Sequence, residues 1–327
     1  MKRIIFAMGL LISLSALSQV KWNPGHYITV PNYADKDMVV QEISSVSAIR
    51  GVQLRYEWKE LEPQKDVYDF SKIDADIAKF SLVNKKLVIF LMTKSFVDSS
   101  ALPPYMDNYV YRYGATTKPG WNIKLWENEA KVRLEALVKA LGAKYDSNPN
   151  VEAITFNETS LGDGLITASQ LEAYFTNMIY VVEKASAYFR NTSVVQFVNY
   201  PKSILPKLTE AMLKAKVSMG GPDIFPKDKG LLTGAYTYYS KFNGVTPVMP
   251  SVQGQNYITQ CHNCPPDPLT LQQLYGYGKT NLFATHMFWT RTTTKDFTKV
   301  LEFFKAPGFP SDPAGGLNST NPYKTCK

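Results

Sequence analysis

Short runs rich in β-branched and aromatic residues alternate with amphipathic stretches along most of this chain of 327 residues. Such alternation is typical of a parallel sheet, in which a helix crosses back after each strand. The sequence predicts eight strands, over residues 26–30, 52–56, 87–92, 152–156, 194–198, 217–221, 248–253 and 282–289. This feature restricts the chain to an α/β architecture.

The stretches between these runs repeat apolar residues at helical spacing. Leu134, Leu137, Val138 and Leu141 follow the i, i+3, i+4, i+7 rule, and Gly142 comes next as a candidate helix stop. Comparable patterns occupy residues 171–182, 204–217, 269–277 and 297–305. Each predicted strand is therefore followed by material that can form a helix.

Eight strand–helix units within about 280 residues predict a single (β/α)8 TIM barrel. The main alternative is a doubly wound open sheet, which would often show a Gly-rich phosphate-binding turn after its first strand. The segment at residues 30–37, VPNYADKD, has no glycine. The barrel is favoured, and its chemistry is expected at the C-terminal ends of the strands.

The N-terminus predicts a secretory signal peptide over residues 1–18. Lys2 and Arg3 precede an apolar run at residues 4–17, and small residues stand at Ala16 and Ser18. Cleavage would leave one catalytic domain over residues 19–327, with a C-terminal tail, in the periplasm or outside the cell. No later stretch is long and apolar enough to span a bilayer, so no membrane partner is expected after cleavage.

Composition argues against several other classes of protein. The chain is 45% hydrophobic and 20% charged, which is ordinary for a globular protein. Its net charge of +8 is not gathered into a dense Lys/Arg cluster, so no nucleic-acid partner is expected. With three His and no paired His motif, we predict no metal. We also predict no other cofactor, and we expect a monomer.

The three cysteines are Cys261, Cys264 and Cys326. Export implies an oxidising compartment, so we predict a disulfide among them that includes Cys261, with the pairing left open. Because Cys261 follows the seventh strand closely, we expect it in a loop on the catalytic face.

An amide and a carboxylate, Asn157 and Glu158, directly follow the fourth predicted strand. Glycoside cleavage requires a protonated carboxyl group beside the leaving oxygen, and a neighbouring amide can hold a sugar hydroxyl. We therefore predict Glu158 as a general acid and Asn157 as a substrate-binding residue. The alternative is that Glu158 only caps the following loop.

The segment at residues 56–80 resembles the strand-two region of barrel glycoside hydrolases of the large retaining clan. Those enzymes often carry W-x-x-(I/L)-E-P followed by Y-D-F. The matching residues here are Trp58, Leu61, Glu62, Pro63, Tyr68, Asp69 and Phe70. FNETSLG resembles the clan's Asn-Glu after strand four, and MFWT resembles its strand-eight sugar platform, here Trp289. The resemblance covers about residues 26–305 and implies a glycoside hydrolase acting on a carbohydrate.

The seventh strand departs from the pattern of the clan, which keeps a nucleophilic Glu there. The segment PVMPSVQGQNY offers Gln253 and Gln255 but no carboxylate. Asp223, which follows strand six within GGPDIFP, is the predicted second catalytic carboxylate. Glu57, at the end of strand two, is the alternative. Whether the reaction retains or inverts configuration stays open.

Several other residues are expected to bind substrate, and the long segment at residues 94–127 is expected to form a lid or cleft wall. The further predicted binding residues are Arg55, Glu57, Trp58, Gln253, His286 and Trp289. Two other functions stay open. One is a carbohydrate-binding barrel with impaired catalysis. The other is a serine hydrolase using Ser218, Asp223 and His286, although Ser218 lacks the G-x-S-x-G elbow.

Overall fold

The computed structural model describes residues 20–97, 99–114, 120–162, 166–259 and 266–324. The expected signal peptide at residues 1–18 lies outside these residues. So do Cys261, Cys264 and Cys326, and with them the predicted disulfide and the predicted place of Cys261.

Eight parallel strands close into a barrel in which each strand pairs with the next along the chain and the first pairs with the last. This confirms the predicted (β/α)8 architecture. The strands are β1 (Gly25–Val30), β2 (Ile49–Glu57), β3 (Lys86–Met92), β4 (Val151–Phe156), β5 (Ser193–Phe197), β6 (Ser218–Gly221), β7 (Val248–Val252) and β8 (His286–Thr290).

Helices connect the strands and cover the outer face of the barrel. The α-helices are Lys36–Ile43, Trp58–Leu61, Ser71–Ser81, Asn128–Tyr145, Ala168–Tyr188, Leu205–Lys214, Lys229–Leu232, Tyr239–Phe242, Leu271–Thr280 and Thr294–Lys305. Short 3-10 helices occupy Pro104–Tyr109, Lys202–Ile204, Ala235–Tyr238, Gly254–Asn256 and Pro322–Lys324.

The strands are buried on both faces, which explains why their sequences read as continuous apolar runs. Side chains such as Val88, Phe90, Phe197 and Phe288 fill the inside of the barrel. Alternate residues of the same strands pack outward against the helices in a second, larger apolar cluster. Each fully buried Phe or Leu contributes roughly 1.5–3 kcal/mol relative to an exposed one.

The last strand begins later than the sequence predicts. Phe283 takes a left-handed φ of 57°, and the amide of Ala284 donates to the carbonyl of Gly278. Residues 282–285 therefore form the turn that leaves the preceding helix, and β8 starts only at His286.

Gly142 does not end a helix, contrary to the prediction, but lies within Asn128–Tyr145. A Cβ atom at Gly142 would come within 2.9 Å of the Cβ and the carbonyl oxygen of Tyr188. The glycine is therefore needed where this helix approaches the end of Ala168–Tyr188.

Part of the long segment after β3 forms a small antiparallel sheet, here called the wall sheet. Its strands are Lys94–Ser95, Val110–Tyr113 and Gly120–Ile123, with the last of these in the centre. Because it follows the C-terminal end of β3, it lies at the end of the barrel where chemistry is expected. Across the described residues, no helix combines the length and apolar character that a membrane span would need.

Candidate active site

A cleft of about 460 Å³ lies at the C-terminal ends of the barrel strands. Its side chains come from the ends of β2 to β7 and from the wall segment. They are Arg55, Phe90, Met92, Phe96, Asn157, Glu158, Phe197, Pro222, Asp223, Gln253 and Gln255. The lining thus combines aromatic and apolar side chains with a few polar groups.

Glu158 is held by two hydrogen bonds, one on each carboxylate oxygen. Lys94 Nζ lies 2.6 Å from Oε1, and Asn199 Nδ2 donates to Oε2 over 2.7 Å. Glu158 follows β4 and Asn199 follows β5, so adjacent strands bring this pair together. Glu158 therefore has a lysine ammonium on one carboxylate oxygen and an amide donor on the other.

Lys94 is itself almost fully buried, with its side chain 2% exposed. Its ammonium donates to the carbonyl of Ser160 over 2.9 Å and lies 4.8 Å and 5.0 Å from the ring centroids of Phe96 and Tyr113. A buried ammonium needs such compensation. The wall sheet thus supplies the cation that faces Glu158.

Asn157 lines the cleft but also has a structural task. Its Oδ1 accepts from the amides of Thr93 and Lys94 over 2.7 Å and 3.2 Å, which ties the end of β4 to the end of β3. Its Nδ2 lies 3.5 Å from the sulfur of Met92. Asn157 therefore fixes the backbone that carries Glu158 and Lys94.

Asp223 lies two residues beyond β6 in a contrasting environment. Its Oδ1 is buried and has no hydrogen-bond partner among the described residues. Burial, together with the negative charges of Glu158 and Asp228, raises the pKa of Asp223 to about 7. Asp223 therefore holds a proton at a pH where an ordinary aspartate has lost it.

The two glycines before Asp223 are required for packing. A Cβ at Gly220 would lie 2.5 Å from the ring of Phe197, and a Cβ at Gly221 would lie 2.4 Å from the hydroxyl of Tyr239. These glycines therefore allow the close contacts that position Asp223.

Gln253 occupies the end of β7 and is held at both ends of its amide. Its Nε2 donates to the carbonyl of Pro222 over 2.9 Å, and its Oε1 accepts from Thr290 over 2.8 Å. It lines the cleft, as expected of a substrate-binding residue, and it links β8 to the loop of Asp223. Gln255 joins it in the lining.

Arg55 points into the cleft from β2, with its guanidinium carbon 5.9 Å from the centroid of the Phe90 ring. Its Nε is buried without a hydrogen-bond partner among the described residues. Burial lowers the pKa of Arg55 below its usual value. The cleft thus contains a cation with no ion-pair partner among the described residues.

Two predicted binding residues, at the end of β2 and the start of the following helix, lie outside this lining. Trp58 is fully buried and donates from Nε1 to Glu62 Oε2 over 2.7 Å, so its ring is not available to a sugar. Glu62 also pairs with Arg133, which gives it a structural role. Glu57 forms an ion pair with Lys59 at 2.8 Å and is absent from the described cleft lining.

His286 lies at the opposite end of the barrel because it begins β8 rather than ending it. It is fully buried, and its Nε2 lies 3.1 Å from Glu152 Oε1 at the start of β4. Contact with a substrate in the cleft is therefore ruled out. Ser218 likewise begins β6, so no triad of Ser218, Asp223 and His286 is assembled.

Trp289 does not form a sugar platform. It is fully buried on the outer face of the barrel, where it packs on Phe303 and Phe304. Its Nε1 donates to His26 Nδ1 over 3.0 Å. Phe288, the neighbour with the opposite orientation, is the one that faces the barrel interior.

Sequence reasoning missed Lys94 and Asn199, the two partners of Glu158. Both lie two residues beyond a strand, as Glu158 does, and this position was the available signal. A search restricted to carboxylates at strand ends passes over them. Among the described residues, no group of three or more His, Cys, Asp and Glu side chains could hold a metal ion.

No family model matches the chain, and the search of curated proteins gave no match. Solved structures do match. The catalytic domain of a β-amylase from Paenibacillus polymyxa aligns with a TM-score of 0.57 at 8% identity, covering 88% of this chain and all of that one. A β-galactosidase from Bacillus circulans sp. alkalophilus aligns at 0.62 and 12%, over 87% of this chain and 56% of that one.

An endo-glycoceramidase II from Rhodococcus sp. aligns with a TM-score of 0.53 at 12% identity, covering 83% of this chain and 75% of that one. This chain spans little more than half the length of the β-galactosidase. These three structural neighbours are glycoside hydrolases. At such low identity the similarity establishes the barrel fold alone.

Proposed function

We propose that the protein is a secreted glycoside hydrolase that cleaves a glycosidic bond in a poly- or oligosaccharide. The observation that carries the proposal is the pair of carboxyl groups that line one cleft, with Glu158 held between two donors and Asp223 Oδ1 buried with no hydrogen-bond partner among the described residues. Glycoside hydrolysis uses such a pair, with the environments of the two groups setting their roles. The barrel fold shared with glycoside hydrolases adds support.

In this proposal the two roles are exchanged relative to the sequence-based hypothesis. Asp223, with a pKa of about 7, donates a proton to the leaving glycosidic oxygen. Glu158, paired with Lys94, is the ionised partner that activates water or attacks the anomeric carbon. Lys94 and Asn199 are positioning residues because they act on the substrate through Glu158.

Turnover of a panel of polysaccharides and aryl glycosides tests the proposal. Glu158→Gln and Asp223→Asn should each lower kcat by about 10²–10⁴ on substrates with a sugar leaving group. Glu57→Gln makes the same carboxyl-to-amide change outside the cleft and should leave kcat nearly unchanged. Circular dichroism checks that every variant folds.

A dinitrophenyl glycoside separates the two roles because its leaving group departs without a proton. Asp223→Asn should lose little activity on this substrate, whereas Glu158→Gln should lose nearly all. The reverse result would restore Glu158 as the acid. Turnover that is indifferent to both substitutions would refute the site.

A carbohydrate-binding barrel with impaired catalysis is the second candidate. Gln253 at the end of β7, where the clan it resembles has a carboxylate, favours it. Saturable binding of an oligosaccharide, with no turnover of any substrate in the panel, would establish this function instead.

A further inference from the structure

We infer that the cleft recognises an acidic sugar and that Arg55 binds its negatively charged group, either the carboxylate of a uronic acid or a sulfate ester. This inference names the substrate class for the proposed function and rests on the same cleft.

The first argument is that Arg55, whose Nε is buried, has no counter-ion or carbonyl partner among the described residues, whereas four buried cations of this protein do. Lys94 faces Glu158, Arg133 faces Glu62, and Arg291 faces Glu42. Lys85 donates to two backbone carbonyls, those of Val46 and Ile49. Removing a cation from water costs several kcal/mol unless a partner replaces the hydration.

No such partner reaches Arg55 from the described residues. Its Nε is buried without a hydrogen bond, and Tyr33 is the neighbouring titratable group whose charge acts on it. Asp223 does not act as that partner either, because the charges that shift the pKa of Asp223 are those of Glu158 and Asp228. The guanidinium therefore faces the cleft, with the ring of Phe90 beneath it, and offers its donors to a ligand.

The second argument is the charge balance of the cleft. Glu158 and Lys94 cancel each other, and Asp223 is neutral below its pKa of about 7. Among the described lining residues, Arg55 then leaves one surplus positive charge. Neutral hydroxyls can use the amides of Gln253 and Gln255, whereas only an anion neutralises the guanidinium.

The chemistry of the guanidinium fits this ligand. Its planar fork matches a carboxylate with two parallel hydrogen bonds and also binds sulfate oxygens. Such charge-assisted bonds are roughly twice as strong as neutral ones. An acidic sugar would thus be preferred over its neutral counterpart at the same position.

Calorimetric titration of the Asp223→Asn variant tests this below pH 7, where the substitution replaces one neutral group with another. The probes are oligogalacturonate, alginate oligomannuronate, their carboxyl-reduced neutral forms and sulfated carrageenan oligosaccharides. We expect an acidic probe to bind about tenfold to a hundredfold more tightly than its reduced form. If the uronate probes bind more tightly than the sulfated probe, the group bound by Arg55 is a carboxylate. If the sulfated probe binds more tightly, it is a sulfate ester.

Adding Arg55→Gln should remove that preference and leave the neutral probes within about threefold, while Arg55→Lys should keep part of it. Arg190→Gln makes the same charge change on an exposed residue after the Ala168–Tyr188 helix and should change nothing. High salt should weaken the acidic probes alone, since the Debye length falls to about 3 Å at 1 M.

Equal affinity for acidic and neutral probes would overturn the inference, as would preference for acidic probes that survives Arg55→Gln, or failure of every acidic probe to bind. The proposed function fails separately. Arg55-dependent binding without turnover by the wild type would refute hydrolysis and keep the acidic ligand. Hydrolysis of neutral glycans alone, unchanged by Arg55→Gln, would support hydrolysis and refute the acidic ligand.

Discussion

Glu152 enters the barrel at the N-terminal end of β4, while Asp223 follows the C-terminal end of β6. Glu152 is 1% exposed, and burial by itself would raise its pKa. Hydrogen bonds from His286 and Asn23, with the charge of His286, outweigh that effect, so the pKa of Glu152 is lowered. Asp223 is also desolvated but has anions rather than donors nearby, and its pKa rises to about 7.

This comparison shows that burial alone does not decide whether a carboxyl group is ionised. At the N-terminal end, Asn23 donates twice, over 2.8 Å and 2.6 Å, and His286 lies 3.1 Å away. At the C-terminal end, Asp223 Oδ1 has no partner among the described residues. The carboxylate at one end of the barrel is fully paired, whereas the carboxyl group at the other end keeps an oxygen without a partner among the described residues.

The largest expected effect is on the pH dependence of kcat/KM. If Asp223 must carry a proton, activity should fall about tenfold per pH unit above 7, because the protonated fraction falls by that factor. Rates measured between weakly acidic and alkaline pH at constant ionic strength would show this limb. A flat profile through alkaline pH would break the assignment.

The next largest effect is the loss of the anion at the N-terminal end. Glu152→Ala leaves the partners Asn23 and His286 unsatisfied, and we expect the free energy of unfolding at neutral pH to fall by about 3–5 kcal/mol. Denaturant unfolding measures this, with Glu183→Ala on an exposed helix face as the control.

The pH dependence sharpens this prediction. A lowered pKa means that the stabilisation by Glu152 is present above its ordinary value of 4.5 and is lost as pH falls through the folded-state pKa. The deficit of Glu152→Ala should therefore shrink in acid. A loss below about 1 kcal/mol at neutral pH would contradict the comparison.

Asp223→Asn should act in the opposite direction. A raised pKa means that stability is complete below the ordinary value of 3.8 and is lost as pH rises through about 7. Above pH 7 the Asn variant should therefore be more stable than the wild type, on the order of 2 kcal/mol. Thermal unfolding at acidic and alkaline pH tests this, since the two proteins should match in acid.

The smallest effect is expected at Glu57, which is partly exposed and paired with Lys59. Glu57→Gln should change the free energy of unfolding by less than about 1 kcal/mol, as is usual for such pairs. Denaturant unfolding at low and high salt measures this. A loss of several kcal/mol would mean that this carboxylate, too, belongs to a tightly compensated site.

The fold and the main carboxyl pair were accessible from sequence because both follow from position along strands. Eight strand–helix units predict the barrel, and Glu158 and Asp223 both follow strands, so they meet at one end. The roles of the two groups were not accessible. They depend on Lys94 and Asn199, which lie 64 and 41 residues from Glu158 in the chain.

The predictions for His286 and Trp289, both on β8, were wrong for a different reason. Strands of a parallel barrel are apolar on both faces, so the sequence carries no alternation to orient Trp289. The left-handed turn at Phe283 also shifts the start of β8, which moves His286 from the expected cleft to the opposite end. Neither the facing direction nor the start of this strand can be read from hydropathy.

The wall sheet contributes both shape and charge, and this has a consequence for redesign. Lys94 belongs to its first strand, Phe96 lines the cleft beside it, and Tyr113 of its second strand lies over the Lys94 ammonium. Grafting a foreign segment between β3 and the Asn128–Tyr145 helix would therefore exchange the counter-ion of Glu158 along with the binding surface. Replacing this segment would therefore change the shape of the cleft and the environment of Glu158 at the same time.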